Sequence, residues 1–546
     1  MIVIKYINYY LSLLEACFCK TIGTNPLINQ NLEILKKTIY IFSFGCLITQ
    51  LILSKNSLDY TSVFLIFLSN IFVTIYCFNN KNISDYPISS NIIFVSYFIN
   101  IGGVLYFKTI TTTLITDKLN LPLNTIVYLI IFHFVIIISH YFYKKLNVIN
   151  EIRNNLSNFF LKKNLMTITS NKFLIFIGSI AIILKLSYYD LNTAIGEQTL
   201  NQYPSLFRDI IFGFMPFAYA PFLILFSKKL YNLDDKKNYN FIYVIFFITI
   251  LFLSMSTGSR SLLFDLGLFI FFVFLIYVQQ EYIKLNKSFL FKMVIILLVS
   301  LPIMTVLDTI SKAYLLDRSK NTQQSPIKNF TTTINRIMNY EQTKSDVKEI
   351  YELSDFFQRE DYYDNSIFNR FNILLVNDNI NYVLGNISPS KMNEIKKHEF
   401  NKIISIIPQP IINIFNKDFV KTDYLRVSMG SFIYRAYDQY SVGRLNIGSF
   451  PFAMMYYYKI LWPIYLFLLS IFVFFVFDSF FHQKKKIISP IVFFLFYATF
   501  GGALNIFTSS EISKLISLTV RNVPQTIILY FLLYKCYNYI FNKKIN

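Results

Sequence analysis

The chain has 546 residues, of which 54% are hydrophobic and only 15% charged, with a mean hydropathy of +0.46. This balance places it among multi-pass membrane proteins and argues against a soluble globular protein. The net charge of +20 does not indicate nucleic-acid binding, because most surplus basic residues lie in short loops between apolar runs, where they set topology and meet anionic headgroups. We therefore expect membrane lipid as a partner and no nucleic acid.

Apolar runs of about the length needed to cross hydrocarbon, roughly 17–25 residues, recur along the chain and predict an all-α polytopic membrane protein with about 12 transmembrane helices. The N-terminal residues alternate apolar residues with Lys5, Glu15 and Lys20, which favours an interfacial helix over a span. The predicted spans lie near residues 38–54, 60–78, 92–107, 123–143, 172–188, 208–227, 240–257, 261–280, 289–310, 457–480, 487–507 and 523–541.

Basic residues give this bundle an orientation. Connections after even-numbered spans carry Lys or Arg at nearly every turn, for example Lys144 and Lys145, whereas the other short connections carry few. By the positive-inside rule both termini are cytoplasmic. Residues 311–452, between the ninth and tenth spans, then form one large extracytoplasmic helical loop, here called the outer loop. We divide the chain into the first nine spans (1–310), the outer loop, and the last three spans (453–546).

One arginine of the outer face lies in a short turn. Arg260 belongs to Ser256-Thr-Gly-Ser-Arg-Ser261, between two apolar runs. The glycine permits unusual backbone angles, Ser261 can cap the next helix, and backbone N–H groups beside a guanidinium form an anion site. A hairpin whose arginine extends to lipid headgroups is the alternative. Asp265 is a carboxylate inside the next apolar run, and we expect it to be paired with another segment.

The outer loop has an internal organisation. Its sequence predicts an amphipathic helix over residues 368–385 that ends at Gly385, and a second helix over residues 396–406 that Pro408 stops. Acidic and basic residues nearly balance across the loop. We therefore expect a small folded unit that rests on the bundle, and not a polycationic tail.

The last part of the loop, residues 429–448, is here called the arginine-bearing segment. It contains Arg435, Asp438 and Arg444 among aromatic and glycine residues. Arginine stays charged and binds phosphate through paired N–H groups. Because a transporter bundle has little use for such an insert, we expect an enzyme that acts on a lipid-borne anionic substrate at the outer face.

Four features in chain order resemble the bacterial Wzy-type polymerases of O-antigen or capsular oligosaccharide repeat units. The resemblance covers residues 250–525, and Gln409 stands where the family pattern has an arginine. The four features are the turn around Arg260, Arg370-Phe-Asn-Ile, Ile406-Ile-Pro-Gln-Pro with the residues through Asp418, and Val442-Gly-Arg-Leu-Asn-Ile-Gly448 before an aromatic span.

The resemblance implies a fold similar to the GT-C glycosyltransferases and a place in the bacterial inner membrane. Such enzymes join undecaprenyl-diphosphate-linked oligosaccharides into the O-antigen of lipopolysaccharide or into capsule, alongside a flippase and a chain-length regulator. The growing chain leaves its lipid diphosphate for a hydroxyl of the incoming unit, so fixed positive charge is the main requirement. The residues that we expect to bind the diphosphate are Arg260, Arg370, Arg435, Arg444 and Arg521.

Among these residues we expect Arg260 and Arg444 to be catalytic, together with Asp438. Asp438 is the best-placed base for the acceptor hydroxyl, and Glu511 is the second choice. The outer face has no His/Asp/Glu cluster with metal-ligand spacing, so the sequence predicts no metal and no cofactor. The related O-antigen ligases imply a histidine late in the outer loop. Residues 425–450 contain none, which favours a polymerase over a ligase.

Besides the O-antigen ligase, two other classes remain as alternatives. A lipid-linked oligosaccharide flippase of the same pathway should have short loops throughout and polar residues that line a cavity inside several spans. A GT-C monosaccharide transferase should carry an acidic pair in its first outer loop, where this chain has only Asp59. We rank the flippase second.

Overall fold

The computed structural model describes residues 30–187, 213–233, 239–257, 261–283, 285, 326–339, 342–343, 345, 373–425, 427–437, 448–496, 506–508 and 511–541. These residues are mostly helical. The strands among them are β1 (Phe481–His482) and β2 (Ile487–Ile488), which pair antiparallel with Phe481 opposite Ile488. The predicted N-terminal interfacial helix and the predicted span near 289–310 lie outside the described residues.

The helices fall into three groups along the chain. Before the outer loop are α1 (Gln30–Leu53), α2 (Ser57–Cys77), α3 (Asn80–Asp85), α4 (Pro87–Ile110), α5 (Pro122–Lys145), α6 (Asn147–Lys162), α7 (Asn171–Ser187), a 3-10 helix (Met215–Leu223), α8 (Ile224–Leu230), α9 (Asn240–Thr257) and α10 (Ser261–Gln279). In the outer loop are α11 (Pro326–Met338), α12 (Leu374–Gly385), α13 (Pro389–Ile404), α14 (Gln409–Phe415), α15 (Lys421–Leu425) and α16 (Met429–Tyr437). After it are α17 (Phe450–Asp478), α18 (Pro490–Leu495) and α19 (Ile512–Phe541).

Five helices in the described part of the chain are long and apolar enough to cross a membrane, namely α2, α4, α5, α17 and α19. Shorter apolar helical stretches occupy Asn240–Ser254 and Asp265–Gln279. The prediction of a multi-pass all-α protein is therefore confirmed in outline. The number of twelve spans, the orientation of the termini and the GT-C-like fold stay predictions.

Two predicted spans differ from the described structure. The run near 208–227 contains the 3-10 helix with Pro216 and Pro221, because each proline lacks the N–H that an α-helix needs. The run near 487–507 begins with β2 and the short helix α18, and residues 497–505 lie outside the described residues.

Helix α4 is the centre of the bundle. It packs against α2, α5 and α17, and 89% of its apolar window is buried, compared with 28% for α17. Polar side chains inside this helix are paired across helices. The amides of Asn91 and Gln279 exchange two hydrogen bonds of 2.8 Å, which joins α4 to α10. Such pairs satisfy polar groups that lipid cannot solvate.

A π-helical turn, Phe98–Gly102, interrupts α4. Such turns shift the following side chains around the helix and often occur at functional sites. The turn packs closely, since a Cβ at Gly102 would lie 2.5 Å from a ring carbon of Tyr97 and 2.7 Å from Oδ1 of Asn70. Glycine at this position therefore lets α4 approach its neighbours, and the turn presents Asn100 to the outer loop.

Candidate functional site

The outer loop joins the bundle through α12, which lies inside the bundle and not on its surface. It packs against α5, α16, α17 and the π-helical turn of α4. The N–H of Ile373, just before the helix, donates to the carbonyl of Ile99 in that turn at 3.1 Å. The helix ends at Gly385, as predicted, but it buries its polar residues as well as its apolar ones.

Asp378 caps the start of α5 from the side of the outer loop. Its carboxylate accepts from the backbone N–H groups of Asn120 and Leu121, the latter at 3.0 Å, and from the hydroxyl of Thr125 at 2.7 Å. An acidic group is favourable at a helix N-terminus, where backbone N–H groups have no partner within the helix. Burial raises the pKa of Asp378, against these hydrogen bonds, which lower it. The outer loop therefore supplies the cap that the sequence of α5 lacks.

Two asparagines of α12 extend this contact. Nδ2 of Asn381 donates to the hydroxyl of Thr125 at 3.1 Å, and its Oδ1 accepts from the hydroxyl of Tyr456 at 3.1 Å. Oδ1 of Asn379 accepts from Nδ2 of Asn120 at 2.9 Å. These contacts join α12 to α17 as well as to α5.

A third asparagine leads into the centre of the bundle. Nδ2 of Asn377 donates to Oδ1 of Asn100 at 3.1 Å, and its Oδ1 accepts from the hydroxyl of Ser449, which precedes α17, at 2.7 Å. Asn100 in turn donates to the carbonyl of Phe507 at 2.7 Å and lies 3.3 Å from Nε2 of His133. One helix of the outer loop is thus joined to the middle of α4 and to the first residues of α5 and α17 by hydrogen bonds.

A second polar site, the carboxylate–lysine cluster, consists of Glu399, Lys402, Glu511 and Lys514. Glu511 forms a salt bridge of 2.9 Å with Lys402 and lies 3.6 Å from Lys514. Its Oε1 accepts from the N–H of Met429 at 2.9 Å. Both carboxylates are nearly fully buried, each with 4% of its surface exposed. The cluster therefore joins α13, α16 and the start of α19.

The side chain of Glu399, on α13, contacts the N-terminus of α19. It accepts from the backbone N–H of Ser513 at 2.7 Å. Burial and the nearby carboxylate of Glu511 raise the pKa of Glu399 to about 7. Burial also acts on Glu511, but the charges of Lys514 and Lys402 outweigh it and hold the pKa of Glu511 below its usual value. The two carboxylates are therefore unequal: the lysines favour the charged form of Glu511, and burial favours the protonated form of Glu399.

The arginine-bearing segment begins and ends beside this cluster. Met429 starts α16 with its N–H on Glu511. At the other end, a Cβ on Gly448 would lie 3.4 Å from Cβ of Met429 and 3.8 Å from Cγ of Glu511. Both ends of the segment thus lie beside Glu511, at the start of α19.

Of the residues predicted to form the site, the structure describes Arg435 and Arg521. Arg435 is exposed in the last turn of α16, and Arg521 is half-buried in a π-helical turn, Leu518–Asn522, of α19. The helices that carry them meet at Glu511. From the rise of an α-helix, the backbone of Arg435 lies about 9 Å along α16 from Met429. The backbone of Arg521 lies about 15 Å along α19 from Glu511. The predicted site residues outside the described part are Arg260, Arg370, Asp438 and Arg444.

The sequence interpretation missed Glu399 and Lys402. The sequence did contain a signal for them, namely the three- and four-residue spacing of one helix face. The residues on this face are all buried and are Ile395, His398, Glu399 and Lys402. Charged residues in such a stripe indicate buried partners. His398 shows a related contact, since its ring stacks on Phe432 of α16 at 4.0 Å and burial lowers its pKa to about 4.

Two further predictions concern single residues. Gln409, at the family's arginine position, is used locally: its Nε2 donates to Asn413 at 2.7 Å and to the carbonyl of Phe419 at 2.8 Å. Its Oε1 accepts from the N–H of Lys421. Asp265 is buried in α10, as its place in an apolar run predicts.

Within the described residues, no group of three His, Cys, Asp or Glu side chains is arranged to hold a metal ion. The absence of a metal or cofactor requirement stays a prediction. Comparison of the chain with protein-family models, with curated proteins and with solved structures finds no match. The resemblance to the repeat-unit polymerases therefore depends on the sequence motifs alone.

Proposed function

We propose that this chain is a membrane glycosyltransferase that joins undecaprenyl-diphosphate-linked oligosaccharide repeat units into an O-antigen or capsular polysaccharide. It would act on the outer face of the bacterial inner membrane. The observation that carries the proposal is the carboxylate–lysine cluster, which lies beside both ends of the arginine-bearing segment at the start of α19. An anionic substrate and a hydroxyl acceptor need such a combination of fixed positive charge and a carboxylate base.

In the proposed reaction, a hydroxyl of the incoming repeat unit attacks the anomeric carbon of the growing chain. The new glycosidic bond forms as the bond to the lipid diphosphate breaks, and undecaprenyl diphosphate leaves with the electron pair. Arginines stabilise the charge that develops on the leaving oxygens. Arg435 and Arg521 are the members of the proposed arginine set that the structure describes.

The acceptor proton requires a base. Glu511, our second choice from the sequence, is poorly suited, because both of its oxygens are engaged and its pKa lies below the usual value. Glu399 is better suited, since a base is most effective when its pKa lies near the working pH. We therefore place Glu399 beside Asp438 as a candidate base.

The polar residues inside α4 bear on the flippase alternative. A flippase needs polar groups that face a cavity in the membrane. In this protein Asn91 pairs with Gln279, and Asn100 contacts the carbonyl of Phe507 and the amide of Asn377. Because these groups bind helices to one another, they support a fixed bundle and favour the polymerase.

Complementation of a strain that lacks the gene tests the proposal. Arg521→Gln and Arg435→Gln should abolish long chains at unchanged protein level, whereas Arg336→Gln, on α11 of the same loop, should leave chain length unchanged. Single repeat units should accumulate on the outer surface of the deletion strain. Repeat units retained on the cytoplasmic side would instead identify a flippase. Wild-type chain length in both arginine variants would contradict the anion-site assignment.

A further inference from the structure

A group of large apolar side chains remains exposed on the outer loop. Ile411, Ile414 and Phe415 lie on one side of α14, at three- and four-residue spacing, with 46%, 75% and 86% of their surfaces exposed. Ile412, on the other side, is buried at 5%. We call the exposed side the α14 face. Soluble surfaces rarely expose so many large apolar groups together, and such faces mark contact with a protein or a membrane.

Elements before and after α14 in the chain also expose large apolar side chains. Phe400 of α13, Val420 before α15 and Leu425 at its end are each at least 46% exposed. The orientation of α14 is fixed, because Gln409 binds the carbonyl of Phe419 and the N–H of Lys421. The α14 face is therefore a built surface, held by hydrogen bonds to the residues that follow it.

The location of this surface identifies what covers it. Phe400 directly follows Glu399, whose carboxylate binds the N–H of Ser513 in the first turn of α19. Phe400 is thus placed near the N-terminal end of α19, a candidate membrane span. Further along α19, Val520 and Ile528 are 56% and 58% exposed, as lipid-facing residues are. Because α13 packs on the start of α19, α14, which follows α13 in the chain, belongs to the part of the loop that lies at this end of the span.

The charges beside α14 fit the same environment. Lys417 is exposed two residues after the helix, and Lys421 follows at the start of α15. Lysines next to a short amphipathic helix are placed to meet phosphate headgroups while the apolar side enters the acyl region.

We propose that α14 lies in the membrane interface on the side of the outer loop, with Ile411, Ile414 and Phe415 among the acyl chains. The apolar side of such a helix lies about 5–10 Å below the headgroups. This contact holds the outer loop on the bilayer and keeps the carboxylate–lysine cluster level with the headgroups. The inference concerns the position of the loop and does not depend on the proposed chemistry.

Tryptophan fluorescence can test this position, because Trp462 is the only tryptophan of the chain. Phe415→Trp is placed in a Trp462→Phe background and reconstituted into phosphatidylcholine–phosphatidylglycerol vesicles. Lipids brominated on their acyl chains should quench its emission by about half or more, as expected for a side chain at this depth. Asn393→Trp, at an exposed polar position of α13, is the matched control. Its emission should respond to iodide in the water and not to brominated lipid.

Trp462 packs on the rings of Tyr128 and Phe132, so its replacement can disturb folding. In that case the quenching is read as the difference between Phe415→Trp and the wild type. Quenching of Phe415→Trp by iodide, with no response to brominated lipid, overturns the proposal. If the quenching depends on the number of protein copies per vesicle and not on the brominated fraction of the lipid, the α14 face contacts a second copy of the chain. That result also overturns the proposal.

Discussion

The raised pKa of Glu399 makes the stability of the protein depend on pH. A shift of this carboxyl from 4.5 to about 7 corresponds to about 3 kcal/mol, at about 1.4 kcal/mol per pH unit. Between these two values the folded protein keeps a proton that the unfolded chain has released. The contribution of Glu399 to the free energy of unfolding therefore falls as pH rises through this window and is level above about pH 7.

Glu399→Gln removes this titration but keeps an oxygen that can accept from Ser513. We compare the free energy of unfolding of the variant with that of the wild type. Between about pH 5 and about pH 8 this difference should change by about 3 kcal/mol in favour of the variant. Glu511 does not contribute in this window, because its pKa is lowered and its stabilisation is lost only at more acidic pH. The measurement is the Tm of purified protein in detergent across the window, where such a difference moves Tm by several degrees.

Glu394→Gln is the matched control, since Glu394 is exposed on the same helix. Its Tm should follow the pH dependence of the wild type. Parallel curves for the wild type and Glu399→Gln would show that Glu399 titrates as an ordinary carboxyl. The argument for Glu399 as a candidate base would then be lost.

Three further substitutions test the packing. Asp378→Ala removes the cap of α5 and should cost about 1–3 kcal/mol, since two half-buried N–H groups lose a charged acceptor; Asp378→Asn should lower Tm less. Gly102→Ala should reduce the folded fraction in size-exclusion chromatography, whereas Gly45→Ala, with open space around it, should not. Lys402→Met should lower Tm, because Glu511 loses its 2.9 Å salt bridge and keeps Lys514 at 3.6 Å; adding Glu511→Gln should restore part of the lost Tm.

Hydropathy located most of the helices correctly but could not separate lipid from protein interior. The tenth span was predicted near 457–480, yet α17 begins at Phe450, and Phe450, Phe452 and Met454 are buried in the bundle. The helix turns at Lys459, which has a φ of 49°, and Ile460 is 89% exposed. An apolar side chain is equally compatible with lipid and with a protein core, so sequence alone gives its class and not its surroundings.

The start of the last span was also predicted too late, for a different reason. The prediction near 523–541 began after Lys514 and Arg521, because charged residues are costly in hydrocarbon. The helix α19 begins at Ile512, since Glu399 accepts from the N–H of Ser513 in its first turn and Glu511 lies 3.6 Å from Lys514. The acceptor for Ser513 comes from 114 positions away, and a window of local hydropathy contains no information about it.

The sequence by itself determined what depends on near neighbours: the membrane class, the positions of most helices, and the end of α12 at Gly385. Only the tertiary structure decided which polar residues are buried. Asp378 meets Asn120 across 258 positions and Glu399 meets Ser513 across 114. A polar side chain on a helix can bind water or a distant partner equally well. Which it does depends on where the rest of the chain has folded.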